Sequence, residues 1–216
     1  MKRIIFGLSD FADVLFYELR LEGIEVEAFC VNKTYLKEKE HMGKPVVVFE
    51  ELKDIFKTEE VGIYVCLGYH SMNEVRAHIF SEIEKTDMKL LSFKHPSALM
   101  MGEKIGEGCI ILEQAVIGPY AKIGKGNIFY PKSMVSHHSV VGDFNFFAVS
   151  SSIAGNVTVG NNCFFGNNVA TKDGIKIADY TLVGAGSYVN HDTPEESCIV
   201  PAKSVVLTNH TSFDFL

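Results

Sequence analysis

The sequence predicts an α/β lobe with a parallel sheet over residues 1–93, followed by an all-β parallel helix over 94–216. Two observations carry this reading. The first part alternates short apolar runs with stretches of helical spacing, and from residue 99 onward a large apolar side chain recurs every six residues. Strands alternating with helices imply right-handed βαβ units around a small parallel sheet, a Rossmann-like arrangement. A strict period of six fits neither a helix, at about 3.6, nor a strand, at about 2. It is the mark of a parallel β-helix, in which each repeat supplies one flat side.

Taken in order, the apolar run from Lys2 to Gly7 is a strand, and 9–23 (SDFADVLFYELRLEG) is a helix with Ser9 or Asp10 as its N-cap. Then come a strand at 24–31 (IEVEAFCV), a short strand at 44–48 (KPVVV) and a helix at 49–56 (FEELKDIF). A strand at 61–69 (VGIYVCLGY), a helix at 71–85 (SMNEVRAHIFSEIEK) and a strand at 88–93 (MKLLSF) complete the lobe. Ligands of such sheets bind where the strands end. The candidate loops are therefore 7–10, 32–35 and 68–71, with Gly7, Ser9, Asp10, Asn32, Lys33, Gly68 and Tyr69 as substrate contacts. Lys33 can neutralise a diphosphate, and backbone N–H groups at the start of the first helix can receive phosphate. The dinucleotide fingerprint GxGxxG is missing from 7–10, which argues against hydride transfer with a nicotinamide cofactor.

Composition narrows the function. With 20 basic and 27 acidic residues the formal charge is −7, so there is no global basic field for nucleic acid. No apolar run approaches the ~20 residues of a membrane-spanning helix, and Asp10 and Asp13 interrupt the N-terminal apolar stretch that a signal peptide would need. The five cysteines (Cys30, Cys66, Cys109, Cys163, Cys198) are widely spaced and never form CxxC, so they read as buried thiols of a cytoplasmic protein.

In the second half, the first position of each hexad holds Leu99, Ile105, Ile111, Ile117, Ile123, Phe129, Val135, Val141, Phe147, Ile153, Val159, Phe165, Thr171, Ile177, Val183 and Val189. Only Thr171 departs from the row, and no insertion breaks the register between 99 and 189. The second position is often Gly, as at 106, 118, 124, 142, 160, 166 and 184, and the fifth is mostly small, as at Cys109, Ala115, Ser133 and Ser151.

This pattern, [Ile/Leu/Val]-Gly-x-x-small-x, resembles the left-handed parallel β-helix of the hexapeptide-repeat acyltransferases, in which three hexads make one triangular coil. With the preceding α/β lobe, the layout resembles the sugar acyltransferases of the NeuD and PglD type. The resemblance implies an N-terminal lobe that holds a nucleotide-linked amino sugar, a β-helix that binds acetyl-CoA, and a homotrimer with active sites between subunits. It implies N-acetylation of the sugar for surface glycan synthesis. O-acetylation of a sialic-acid type acceptor and a non-catalytic trimeric scaffold are the alternatives.

On the three-hexad arithmetic, His137 shares a corner with Gly155, Asp173 and His191, with coils about 4.8 Å apart. An imidazole then lies beneath a glycine whose N–H is open to approach: a base for the acceptor's proton and a donor for the oxygen of the tetrahedral intermediate. A second corner stacks Val149, Asn167 and Ala185, which in a trimer would face the His137 column of the next subunit. The resemblance makes the same assignments. In 134–143 (MVSHHSVVGD), His137 falls on the general base, and in 152–157 (SIAGNV) Gly155 falls on the glycine that binds the thioester carbonyl. Asn167 and Ala185 fall on acetyl-CoA contacts, and 200–203 (VPAK) is similar to the GxPAK ending, which puts Lys203 near the adenosine. The chain departs from the pattern at His138, where an acidic residue usually orients the base, at Phe146, where a second His meets the cofactor, and at Tyr130, where the acceptor site has Asn; by position the resemblance still implies Phe146 as an acetyl-CoA contact and Tyr130 as a substrate contact. His138 is then the candidate to orient His137.

The other histidines read more simply. His95, before Pro96, marks the junction of the two parts; His70 sits at a helix start; His191 lies near the end of the repeat at the surface. No metal site is expected, since no second ligand follows any of them at a diagnostic spacing. The tail carries Phe213, Phe215 and Leu216, which are expected to pack back on the helix or a neighbouring subunit.

Overall fold

The computed structural model describes residues 1–57, 60–204, 209 and 213. The first part is built from β1 (Lys2–Phe6), α1 (Asp10–Leu21), β2 (Ala28–Val31), β3 (Glu40–His41), β4 (Lys44–Val48), α2 (Leu52–Ile55), β5 (Val61–Val65), α3 (Glu74–Glu84) and β6 (Lys89–Leu90). Its sheet runs β3-β4-β2-β1-β5-β6, parallel throughout except for the β3–β4 pair. The chain winds outward from β1 to β4, then returns to the other side of β1 with β5. That reversal between β1 and β5 is the switch point at which open α/β sheets form their ligand crevice. The second strand is shorter than its apolar pattern suggests, starting only at Ala28, and the 88–93 run divides: Lys89–Leu90 joins this sheet, while β7 (Phe93–Lys94) belongs to the next domain.

From β7 onward two-residue strands stack into three parallel sheets. The first runs from β7 through Ile110–Ile111, Ile128–Phe129, Phe146–Phe147, Phe164–Phe165 and Leu182–Val183 to Cys198–Ile199. The second starts at Leu99–Met100 and ends at Tyr188–Val189; the third starts at Lys104–Ile105 and ends at Lys176–Ile177. The result is a left-handed triangular prism whose axis is filled by the hexad row. Within it the rings of Phe129, Phe147 and Phe165 stack, with centroids 4.6 and 4.9 Å apart and planes within 2°. Each corner turns through one left-handed residue, and these recur every six positions from Gly108, Gln114 and Tyr120 to Tyr180 and Gly186.

The register is regular from Lys104, not from Leu99. Ile117 pairs with Met100, whereas Ile123 pairs with Ile105, so the first coil is one residue short. Met100 takes the inward place and packs on the core, and Leu99 is 59% exposed. At the other end Ile177 bridges Thr193 and Val183 pairs with Ile199, so the last coil is shortened too.

The two parts share a core. Side chains on the outer face of the first sheet (Ile110, Ile128, Phe146) are buried against α1 and β1 through Phe11, Leu15 and Ile5. Arg76, fully buried, ties the parts together with donors directed only at carbonyls: Nε to Gly126 O at 3.0 Å, Nη1 to Leu67 O at 3.1 Å and Gly68 O at 2.7 Å, and Nη2 to Phe144 O at 2.9 Å and Asn145 O at 3.3 Å. Burial pulls its guanidinium down to about 9, still a cation at neutral pH.

Cys30, Cys66, Cys109 and Cys163 are buried free thiols as expected, but Cys198 is exposed, because it pairs with Leu182 on the outward face of the first sheet while Ile199 takes the inward place. No described helix is long and apolar enough to cross a membrane. Phe213 is 89% exposed on the single chain, so of the two expected places, the helix or a neighbouring subunit, it does not occupy the first; Phe215 and Leu216 lie outside the described residues.

Candidate active site

His137 sits on the corner between the second and third sheets, one residue before the left-handed turn residue His138 (φ 59°). The corner above it is Gly155, and the imidazole lies directly against that glycine. A Cβ built on Gly155 would fall 2.5 Å from His137 Cε1 and 2.7 Å from Nε2. Only glycine leaves room for the ring there. His137 Nδ1 is 3.2 Å from His138 Nδ1, and the His138 ring leans on Tyr120 with centroids 4.7 Å apart. Two imidazole nitrogens at that distance share one proton. If His137 is the donor, its Nε2 carries a free lone pair and faces the glycine. Both histidines are exposed on the single chain.

The Gly155 N–H corrects the sequence reading. It donates to Asp173 Oδ1 at 2.9 Å and so is not an open oxyanion donor in this chain. The cause is the coil repeat itself: a side-chain oxygen at this corner position reaches down to the N–H one coil below, as Asn161 does to Asp143 and Asp179 does to Asn161. The identities at 155 and 173 already contained this pairing, once side-chain length is considered along with stacking.

Phe146 is also corrected. It is 3% exposed, and its ring packs among Tyr130 (4.9 Å), Tyr69 (5.1 Å) and Phe164 (5.6 Å) inside the joint between the two parts, where a cofactor cannot reach it. Asn167 and Ala185 lie on the corner between the first and second sheets, a different edge of the prism from His137, and Lys203 is exposed beyond the last coil. One chain therefore brings together His137, His138, Gly155 and Asp173, and leaves Asn167, Ala185 and Lys203 apart from them.

At the switch point of the α/β sheet, Gly7 (φ 123°) ends β1 with a Cβ position only 2.7 Å from Cys66 O, so no larger residue fits between β1 and β5. Ser9 occupies the N-cap of α1 without a side-chain bond, its carbonyl accepting the N–H groups of Ala12 and Asp13. Asp10, Gly68, Tyr69 and Tyr130 converge on this end. Tyr69 is 54% exposed with its ring 4.6 Å from Phe164, and Tyr130 lies 5.6 Å from Phe11. Burial pushes the Tyr130 hydroxyl up to about 12, with Cys66, Tyr69 and Asp10 adding to it. Asn32 and Lys33 stand at the end of the next strand, where the Glu50 carboxylate takes the Lys33 N–H at 3.1 Å and approaches Asn32 Nδ2 at 3.4 Å. That carboxylate caps the Lys33 N–H, so this N–H is already engaged within the chain.

Among the remaining histidines, His95 Nε2 lies 3.4 Å from Glu18 at the joint, His191 is exposed with Nδ1 on Asn190 Oδ1, and His70 precedes the turn into α3. No group of described residues could hold a metal ion. Arg76 carries no signal in the sequence, because a single arginine in an amphipathic helix looks solvated; only its burial reveals it.

Several solved structures share this architecture. PerB from Caulobacter crescentus, solved with CoA and GDP-perosamine, superposes with a TM-score of 0.82 over 92% of this chain and 93% of its own, at 25% identity. The acetyltransferase domain of PglB from Neisseria gonorrhoeae superposes with a TM-score of 0.80 over 91% of this chain and 95% of its own, at 20% identity. The fold is that of the hexapeptide-repeat sugar acetyltransferases. The same PglB domain has been solved with acetyl coenzyme A, superposing at a TM-score of 0.75 and 19% identity over 88% of this chain and 92% of its own. No protein-family model and no curated protein matches the sequence.

Proposed function

We propose that the protein is an acetyl-CoA-dependent N-acetyltransferase acting on a nucleotide-linked amino sugar. One observation carries the reading: an imidazole laid against a glycine at a β-helix corner, in a fold shared with an N-acetyltransferase solved with CoA and GDP-perosamine. His137 Nε2 takes a proton from the sugar's amine as its nitrogen attacks the thioester carbonyl; the tetrahedral intermediate collapses with cleavage of the C–S bond, and the proton held on His137 passes to the sulfur, so that CoA leaves as the thiol and the imidazole is returned to its neutral form. His138 orients His137 by accepting its Nδ1–H, in place of a carboxylate. Gly155 contributes clearance for the His137 ring rather than a free N–H, since Asp173 occupies that donor.

In this reading residues 1–93 hold the nucleotide-linked sugar at Gly7, Ser9, Asp10, Gly68, Tyr69 and Tyr130, and residues 94–216 hold acetyl-CoA. Asn167, Ala185 and Lys203 serve the acetyl-CoA of a neighbouring copy's His137, in a cytoplasmic homotrimer. The outer face of the second sheet supports self-association: Val116, Met134, Ser152 and Ala170 line it half-buried, with Leu99 and Tyr188 exposed at its ends.

The test is thiol release from acetyl-CoA with a panel of nucleotide-linked amino sugars, wild type beside His137→Ala. A positioned base is worth ~10²–10⁴-fold, so the variant should lose that much turnover while keeping its melting temperature. Release with no amine, while CoA still binds, would turn the reading to a hydroxyl acceptor. A chain that binds no CoA would leave a scaffold.

A further inference from the structure

The loop that follows β5 is fastened to the β-helix more heavily than its place on the surface requires. Arg76 reaches back from the first turn of α3 to Leu67 O and Gly68 O, while the same guanidinium holds Gly126 O, Phe144 O and Asn145 O of the β-helix corner. No carboxylate is among its partners. Five carbonyl oxygens therefore converge on one cation, which fixes two backbones at a single separation. The rest of the loop is held in the same way. Ser71, Met72 and Asn73 are three consecutive left-handed residues (φ 50°, 48° and 67°), a conformation that costs free energy at each non-glycine position. Asn73 is fully buried and gives Nδ2 to Cys163 O at 3.2 Å, and Asn162 gives Nδ2 to Met72 O at 2.9 Å. Tyr69, at the tip, meets Phe146 edge-on (5.1 Å, 73°) and leans on Phe164 at a tilt (4.6 Å, 53°), both of the first sheet.

From this geometry we infer that Arg76 is a positioning residue for the nucleotide-linked sugar, setting the Gly68–Tyr69 edge of the crevice at a fixed height on the β-helix. The inference rests on the proposed function. A Rossmann-like lobe joined by a flexible hinge would present its ligand at variable distance from a base on the β-helix. Here the sheet edge that meets the ligand and the coil stack that carries the base are locked through one guanidinium. Lysine cannot replace it, because a single ammonium cannot span carbonyls on both sides in a planar fork.

The experiment compares wild type, Arg76→Lys and Asn162→Ala in steady-state acetyl transfer, with melting curves in the presence and absence of CoA. Arg76→Lys should raise the KM for the nucleotide sugar by about tenfold or more, with the KM for acetyl-CoA and the CoA-induced melting shift within about twofold of wild type. Asn162→Ala, which cuts only the Met72 tie, should move the same constant in the same direction by less. A purely structural role would instead lower the melting temperature and depress every constant together. Arg76→Lys with an unchanged sugar KM overturns the inference; if that variant does not fold, an unchanged sugar KM in Asn162→Ala does so. Wild type that binds CoA but no nucleotide sugar overturns the functional reading, and this inference with it.

Discussion

The imidazole of His137 occupies the volume that a side chain at Gly155 would fill, one coil above it. Gly155 is not one of the residues with positive φ, so alanine is permitted there by the backbone and the only conflict is with the ring. Because that ring is the far end of a rotatable side chain, it moves and the coil survives. Gly155→Ala should therefore behave as a displaced-base variant: turnover down about 100-fold, folding intact. Steady-state kinetics beside a melting curve check this, and wild-type turnover in the variant would remove His137 from its assigned role.

The axis of the β-helix gives a stability prediction. Phe147 is fully buried between Phe129 and Phe165, stacked face to face with both. Phe147→Ala should cost about 3–5 kcal/mol, because coils above and below cannot close the gap without breaking their ladder. Val140, on the outer face of the third sheet, points to solvent, and Val140→Ala should cost within about 0.5 kcal/mol. Denaturant unfolding of both variants makes the comparison; equal losses would mean the inward and outward rows are misassigned.

Much of this was legible because a β-helix converts sequence period directly into position. The inward row from Ile105 to Val189, the corner of His137 and Gly155, and the α/β sheet with its switch point all follow from spacing. The hexad count places Leu99 inward because it cannot reveal a coil one residue short, and Met100 fits the core as well. The resemblance puts Phe146 on the cofactor, whereas Ile110, Ile128, Phe146, Phe164 and Leu182 form a second apolar row, in which each residue pairs with the next across adjacent coils of the first sheet. That row is the signature of a face covered by another part of the chain. Arg76 left no such signal, since its role depends on carbonyls contributed by distant segments.

Thiol chemistry separates one cysteine from four. Cys30, Cys66, Cys109 and Cys163 are buried, and burial raises every one of their thiols, Cys109 to about 11 and Cys163 to about 12. Cys198 is exposed at the end of the prism. A chromogenic disulfide reagent should therefore titrate a single fast thiol in the native protein, removed by Cys198→Ser, and the others only on unfolding. More than one fast thiol in the native state would contradict the burial of the hexad cysteines.

The β3–β4 hairpin is tied to α1 through His41, and this joint should depend on pH. His41 Nε2 lies 2.6 Å from Asp13 Oδ1 and Nδ1 lies 2.8 Å from Glu38 Oε1, with the ring edge-on to Phe29. Burial alone would lower this imidazole, but hydrogen bonds to Asp13 and Glu38, which need both ring nitrogens protonated, outweigh it and raise it above the ordinary 6.5. A raised histidine stabilises the fold fully below its unfolded value and loses that contribution as pH climbs through the folded one. Against His41→Asn, wild type should thus be more stable by about 1 kcal/mol near pH 5.5, with the gap closing by about pH 8.5. Urea unfolding of the pair at both pH values reads the difference directly. A gap of the same size at both would mean that His41 acts by packing on Phe29 and carries no charge-dependent bond to α1.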